Sequence, residues 1–175
     1  MHWTSPKDLS GSQEKVMLDT ERKITTSGLN KITSGLLPVE TVLMSSRAPI
    51  GYLTLTKIPL AINQGYIAIP STKRLSQEYV LYWLSSSMEE IKGIAGGTTF
   101  AEISKKTFNN IPLLVPNNET IERFSAIAKS YLNKMELNVL ERTALEHLRE
   151  TLLPKLISGE LSLEDVELTT QQGAA

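Results

Sequence analysis

NNETIERFSAIAKSYLNKMELNVLERTALEHLRETLL, residues 117–153, contains neither glycine nor proline and follows directly on Pro116. The stretch predicts one helix of about 35 residues, roughly 52 Å at about 1.5 Å per residue. Helices of globular domains average about 10–14 residues, so a small domain cannot wrap this one. An amide at Asn117-Asn118 can cap its orphan N–H groups, and Glu119 and Glu122 suit its positive end. Counting sevens from Phe124 puts Phe124, Tyr131, Asn138, Leu145 and Leu152 at one heptad position and Ile127, Lys134, Glu141 and Leu148 at its partner position. The seam is apolar at both ends and polar in the middle. Phe124, Ile127, Tyr131, Asn138, Leu145, Leu148 and Leu152 are therefore the expected helix-pairing residues. A seam Asn138, flanked by Lys134 and Glu141, is costly if buried and specifies register or partner; the alternative is that this middle stretch is simply solvated. Pro154 is expected to stop or kink the helix, Lys155–Ile157 to add one turn, and Ser158-Gly159 to end it. From Glu164 the chain reads as an acidic, disordered tail.

Residues 1–116 differ in kind. They hold 8 of the 10 glycines and 7 of the 8 prolines, and their apolar segments are short, which points to strands and loops. Val42–Met44, Ile50–Thr56 (Ile50, Tyr52, Thr54 and Thr56 on one face), Leu60–Ile62, Tyr66–Ile69 and Ile111–Val115 are the expected strands. Their spacing is too close for a doubly wound sheet with long crossover helices. One helix is expected inside this region, capped by Ser76 and running through Leu84, with Tyr79, Val80, Trp83 and Leu84 on one face and a kinked continuation through Met88 to Ile94. The fold class is α+β: a mixed domain of short strands over 1–116, the long helix and its terminal turn over 117–163, and a tail over 164–175.

A chain of 175 residues with 41% apolar content can bury a real core. The formal net charge of -1 gives no global basic field. By region, however, residues 1–116 carry 12 Lys/Arg against 9 Asp/Glu, and residues 154–175 carry 1 against 4, so any anion-binding face must be local and N-terminal. Zero cysteines exclude disulfides, thiolate nucleophiles and Cys-type zinc sites, and His2 and His147 lie too far apart for a metal motif. No apolar run approaches the roughly 18 residues that span a bilayer, and the N-terminus lacks a signal peptide's apolar core. A cytoplasmic protein without membrane, metal or cofactor is expected. Nucleotide-binding glycine loops and nucleophile elbows are missing too, and neighbouring acids such as Glu89-Glu90 read as solvated surface. With no catalytic residue to name, binding is favoured over catalysis.

The segments that could bind are loops of hydroxyl, amide and small residues with an occasional cation. They are Thr4–Lys7, Met44–Pro49, Ile62–Tyr66 and Gly96–Lys106. Such side chains read base edges and phosphate oxygens, and paired glycines let backbone N–H groups approach an anion. Hydroxyls beside proline and glycine also build turns, so each segment alone has a purely structural reading.

Taken together, Trp3–Leu9, Val42–Gly51, Ala61–Gly65, Gly97–Ser104, Ile111–Pro116 and the closing Leu152–Leu161 resemble the DNA specificity subunit of type I restriction-modification systems, from Trp3 to about Leu163. The resemblance implies a mixed α/β target recognition domain followed by a long helix, a unit that occurs twice in the family's chains, with the two helices paired as an antiparallel coiled coil. It implies double-stranded DNA as ligand. It also implies modification subunits, which carry S-adenosylmethionine and methylate adenine, and a restriction subunit as partners; the chain itself is a non-catalytic half that pairs with a second half-subunit or a second copy. The residues expected at DNA are Lys7, Ser45, Ser46, Arg47, Asn63, Gln64, Thr98, Thr99, Lys105 and Lys106. Against the family pattern, the chain opens at the Trp-x-x-Pro-Lys-Asp-Leu segment, so the first strand and loop of the recognition domain are expected to be absent. The rival reading is a helical adaptor that joins protein partners through residues 117–153 and binds no DNA; an enzyme using the Ser/Thr/Lys loops is the least favoured.

Overall fold

The computed structural model describes residues 1–11, 14–47, 49–71, 74–97 and 101–162. In chain order the strands are β1 (His2–Thr4), β2 (Val16–Met17), β3 (Arg22–Lys23), β4 (Val42–Ser45), β5 (Leu53–Thr56), β6 (Leu60–Ile62) and β7 (Tyr66–Ile69). The helices are α1 (Thr26–Leu29), α2 (Gln77–Ser86), α3 (Met88–Gly93), α4 (Lys105–Asn109) and α5 (Asn118–Ile157). Two small mixed sheets result. In the first, β1 lies between antiparallel β3 and parallel β6; in the second, the order is β2-β5-β4-β7, with only β2 and β5 parallel. The architecture is α+β, as expected from the sequence.

Continuous apolar character in β4 has a physical cause: the strand is buried along its whole length. Leu43 enters a cluster with Leu9, Met17, Leu60, Ile62 and Tyr66, and α2 lies against β4 and β5, covering the second sheet. Strands β6 and β7 belong to different sheets, so the corner Asn63–Gly65 between them joins the two. The chain divides into two compact units, Met1–Glu136 and Leu137 onward, with the boundary inside α5.

Several expectations are corrected. Ile111–Val115 forms no strand: Pro112 supplies no donor, Leu114 is 80% exposed, and its carbonyl is taken by the Tyr79 hydroxyl at 2.7 Å. The strand expected from Ile50 begins only at Leu53, because Gly51 turns the chain at φ 102°. Ser76 does cap α2, accepting from the Tyr79 N–H at 3.1 Å, and the helix kinks at Ser87 into α3. Its buried face, however, is Gln77, Val80, Leu81 and Leu84 rather than Tyr79, Val80, Trp83 and Leu84. The rings of Tyr79 and Tyr82 instead meet Phe124 edge-on, and Trp83 meets Phe108. Short β1, β2, β3, α1 and α4 carried too few residues for any periodicity to show.

The long helix starts as expected, with the Asn117 Oδ1 accepting from the Thr120 N–H at 2.8 Å. Pro154 does not stop it. A proline in the last turn forfeits one hydrogen bond, and the Ser158 N–H still donates to the Pro154 carbonyl at 3.0 Å, so α5 reaches Ile157 before Gly159 ends it at φ 75°. Within the first unit Ile121, Ala128 and Leu132 bury one helical face, and Ser125 donates to Ser76 at 2.6 Å. Lys57, largely buried, adds a clamp by reaching Glu40 at 2.9 Å and Glu136 at 3.3 Å. Burial works against the charge of Lys57, yet the two carboxylates outweigh it and hold its ammonium above the ordinary lysine range.

Gly51 yields the first prediction. A Cβ there would lie 2.5 Å from the Met88 sulfur on a backbone that L side chains rarely adopt. Gly51→Ala is expected to cost about 1–3 kcal/mol, read as a lower urea midpoint at unchanged slope.

Candidate nucleic-acid interface

Backbone hydrogen bonds weld the four segments singled out above into one wall. The Asn63 N–H donates to the Thr4 carbonyl (3.0 Å), the Ser46 N–H to the Gly65 carbonyl (2.8 Å), and the Ile103 N–H to the Ser46 carbonyl (3.0 Å). Arg47 and Glu102 form an antiparallel bridge, and so do Gly96 and Glu102. Gly65 sits at the centre, where a Cβ would meet Pro6 at 3.0 Å; only a residue without a side chain lets the Pro6 and Asn63–Gly65 loops come this close. The segments are thus linked in the spatial order Thr4–Lys7, Ile62–Tyr66, Met44–Pro49 and Gly96–Lys106, and the last enters α4 after Ile103.

Eight of the ten expected DNA residues fall among the described residues and have definite places. Lys7 is exposed on the 3-10 turn Pro6–Leu9, which Asp8 ties down by accepting from the Ser5 N–H at 3.0 Å. Ser45 is fully buried, donating to the Pro49 carbonyl and accepting from the Tyr52 N–H, both at 2.8 Å; its hydroxyl builds the loop instead of facing solvent. Ser46 is buried too and acts through its backbone. Arg47 is half-buried beside it. Asn63 turns its Oδ1 inward to accept from the Gly65 N–H at 2.8 Å, which leaves Gln64 exposed at the corner tip. Lys105 and Lys106 are exposed in the first turn of α4, capped by the Ser104 hydroxyl accepting from the Thr107 N–H at 3.0 Å. Thr98 and Thr99 lie outside the described residues, as does the tail from Glu164.

Beneath the wall stands Tyr66, 1% exposed, whose hydroxyl donates to the Ser5 carbonyl at 2.8 Å and meets the Thr4 hydroxyl at 3.3 Å. Burial pushes its phenol well above the ordinary tyrosine range, so it stays a neutral donor.

Three residues of the wall, Asn63, Gln64 and Lys105, line a slot of about 380 Å³ together with Trp3, Lys31, Thr33, Ser34 and Tyr66. Trp3, Lys31, Thr33 and Ser34 were not among the residues expected at DNA. The signal was present in Thr25–Gly35, a hydroxyl-rich run with one cation like the others, but nothing in it said that it lies against the Asn63–Gly65 corner. Lys7, Lys31, Arg47, Lys105 and Lys106 show no ion pair among the described residues, so the small basic excess of residues 1–116 is concentrated here. A larger cleft of about 570 Å³ near the starts of α2 and α5 mixes Arg74 and Lys129 with Glu40, Glu78 and Glu122, and carries no field of one sign. Among the described residues no group of three or more His, Cys, Asp or Glu could hold a metal ion, and no helix is long and apolar enough to cross a membrane.

Along α5 the expected pairing residues are exposed: Phe124 and, more fully, Ile127, Tyr131, Leu145 and Leu148, with Leu152 half-buried. Asn138 is exposed as well. No described residue from Leu137 onward is buried. Three further exposed leucines of α5, Leu137, Leu140 and Leu153, lie off the seam counted from Phe124 and were missed by that count.

Two mixed sheets whose loops gather into one hydroxyl-, amide- and cation-lined wall, followed by a long helix with an apolar stripe in the open, define an α+β domain with an appended helix. Residues 1–147 match the type I restriction modification DNA specificity domain, and the chain belongs to that family. It is similar to the MjaIX specificity subunit of Methanocaldococcus jannaschii, with 33% identity over 152 residues, covering 82% of this chain and 35% of that one. The HindI specificity subunit of Haemophilus influenzae is 28% identical over 145 residues, covering 81% and 32%. The chain thus spans about a third of the length of these relatives. In fold it resembles the HsdS subunit from Thermoanaerobacter tengcongensis (TM-score 0.56, 21% identity, 92% of this chain and 38% of that one) and a chain from a type I R-M system assembly (TM-score 0.56, 20% identity, 89% and 37%). The matched family is the one that the resemblance of the segments from Trp3 to Leu161 implies.

Proposed function

We propose that residues 1–116 are a target recognition domain that reads one half of a bipartite DNA site, and that residues 117–163 pair with a helix carrying the other half. The observation that carries this reading is the convergence of four separate segments into one wall whose cations have no carboxylate partners among the described residues. A solvated surface disperses its charges and pairs many of them; an anion-binding face keeps them free and on one side. The assembled protein, on this reading, holds modification subunits and a restriction subunit at the site, itself contributing no catalytic group and no cofactor. The stripe Ile127, Tyr131, Leu145 and Leu148 supports a second half-subunit or second copy as the helix partner, since large exposed side chains at heptad spacing gain most from a facing helix.

Replacing both Lys105 and Lys106 by alanine is the test. In the assembled complex the double variant is expected to bind all duplex sequences more weakly, with the plot of log affinity against log salt flatter by about two. Fluorescence anisotropy over a salt series reads both quantities. An unchanged slope removes the pair from the interface, and no salt-dependent binding by the wild-type complex favours the adaptor reading.

A further inference from the structure

The slot of about 380 Å³ beside the wall carries Lys31 and Lys105 in its lining and no aspartate or glutamate, unlike the cleft at the starts of α2 and α5. Lys31 arrives there on Thr25–Gly35, a segment outside the wall that is anchored at both ends on the first sheet. Before it, β3 pairs with β1, and the Ile24 N–H donates to the Met1 carbonyl at 2.8 Å. After it, Leu37 and Leu60 of β6 exchange backbone hydrogen bonds at 2.8 and 3.2 Å. Its own turns are bonded too, the Lys31 N–H donating to the Gly28 carbonyl at 3.1 Å and the Ile32 N–H to the Leu29 carbonyl at 2.9 Å. The backbone that carries Lys31 is therefore fixed beside β6, and Lys31–Ser34 shares the slot with Ile62 and Asn63.

Lys31 and Lys105 are both exposed and have no ion pair among the described residues. Arg22, the cation next to the slot's Trp3, differs: it stacks 4.3 Å from the Trp3 ring centroid but spends its Nη2 on the Ser5 hydroxyl at 2.6 Å and the Asp8 carboxylate at 3.3 Å. Of the hydroxyls in the lining, Ser34 donates to the Gly35 carbonyl at 3.3 Å and Tyr66 to the Ser5 carbonyl at 2.8 Å, which leaves Thr33 uncommitted among the described residues. Two ammonium groups on one cavity without a counter-charge repel each other, and an anion in the cavity offsets that repulsion.

We infer that this slot seats a phosphate of the DNA backbone, held by the ammonium groups of Lys31 and Lys105 with the Thr33 hydroxyl as a further donor. The inference rests on the DNA-recognition reading above and adds the Thr25–Gly35 segment to its face. A phosphate is bound by charge and donors within reach, whereas a base edge is read by an oriented donor and acceptor pair; exposed lysines supply the first and not the second. Lys31 thus positions the domain on the duplex and carries no base preference.

The test uses the full chain in the assembled complex. Lys31→Ala removes an exposed side chain without an intramolecular partner among the described residues, and is expected to weaken binding to all duplex sequences alike and to flatten the plot of log affinity against log salt by about one; Lys31→Ala with Lys105→Ala flattens it by about two. Lys31→Arg keeps the charge and is expected to keep the wild-type slope. Replacing the phosphates of the site one at a time by neutral methylphosphonate is expected to weaken wild type several-fold at a linkage to which the double variant is indifferent. Acetylation of Lys31, followed by mass spectrometry, separates duplex from free anion: the duplex is expected to shield Lys31, and inorganic phosphate at matched ionic strength is not. An unchanged slope in Lys31→Ala, a loss confined to some sequences, a Lys31→Arg slope as flat as that of alanine, or shielding by inorganic phosphate as complete as by duplex overturns the inference. A wild-type complex whose binding does not depend on salt instead overturns the recognition reading beneath it.

Discussion

Tyr66→Ala is expected to lower the stability of the chain by about 4 kcal/mol, as removing a buried aromatic ring commonly does by about 3–5 kcal/mol. The ring is among the largest fully buried side chains and belongs to the cluster that joins Leu43 of the second sheet to Leu60 and Ile62 of the first. Its loss leaves a cavity between the sheets and also strips the Ser5 carbonyl and the Thr4 hydroxyl of a partner. For a chain of this size about 4 kcal/mol corresponds to a fall of roughly 8–16 °C in Tm. Tyr66→Phe separates the two contributions: it keeps the packing, loses the hydrogen bonds, and is expected to cost about 1–2 kcal/mol. Calorimetry of the three proteins is the check. Equal losses in both variants would put the stabilisation in the hydroxyl rather than in the ring.

In the proposed assembly the helix acts as a ruler between half-sites. Inserting one heptad after Asn138, with the matching insertion in the partner helix, keeps the seams in phase and adds about 10 Å of helix. At about 3.4 Å per base pair, the preferred spacer between half-sites is expected to grow by about three base pairs while the half-site sequences stay the same. Methylation assays on duplexes that differ only in spacer length read the change. Continued methylation of the original spacer, with the longer ones ignored, would show that α5 does not set the distance. The insertion point lies where α5 carries Asn138 and Glu141 rather than the apolar side chains at either end of its seam, so the two paired ends are left intact.

Both experiments depend on features of very different legibility. The helix was readable from composition, since some thirty-five residues rich in Leu, Glu, Lys, Ala and Arg carry no glycine or proline to break a helix, and its cap at Asn117 needs only a local hydrogen bond. Strands β4, β6 and β7 were readable because buried strands are short apolar runs bounded by turn residues. Strands of two residues, such as β2 and β3, exist only because β5 and β1 offer them hydrogen-bonding edges, and nothing in Val16-Met17 or Arg22-Lys23 declares that. Ile111–Val115 fails for the reverse reason: its pattern suits a strand, but no edge is offered to it and Leu114 stays exposed.

By itself, then, the sequence determined the class of the fold, the long helix and its exposed seam, the absence of cysteine chemistry, and the four loop segments rich in hydroxyls, amides and cations. These are local properties, set by which side chains stand within a few residues of one another. Only the tertiary structure decided that Ser45 is spent inside its own loop while Gln64 is presented at a corner, that Lys31 and Lys105 line one slot, and that Arg22 is held on Trp3 by Ser5 and Asp8. Each of those depends on contacts between residues far apart in the chain, and a hydroxyl or a guanidinium carries no mark in the sequence of whether the fold will turn it inward to a carbonyl or leave it facing solvent.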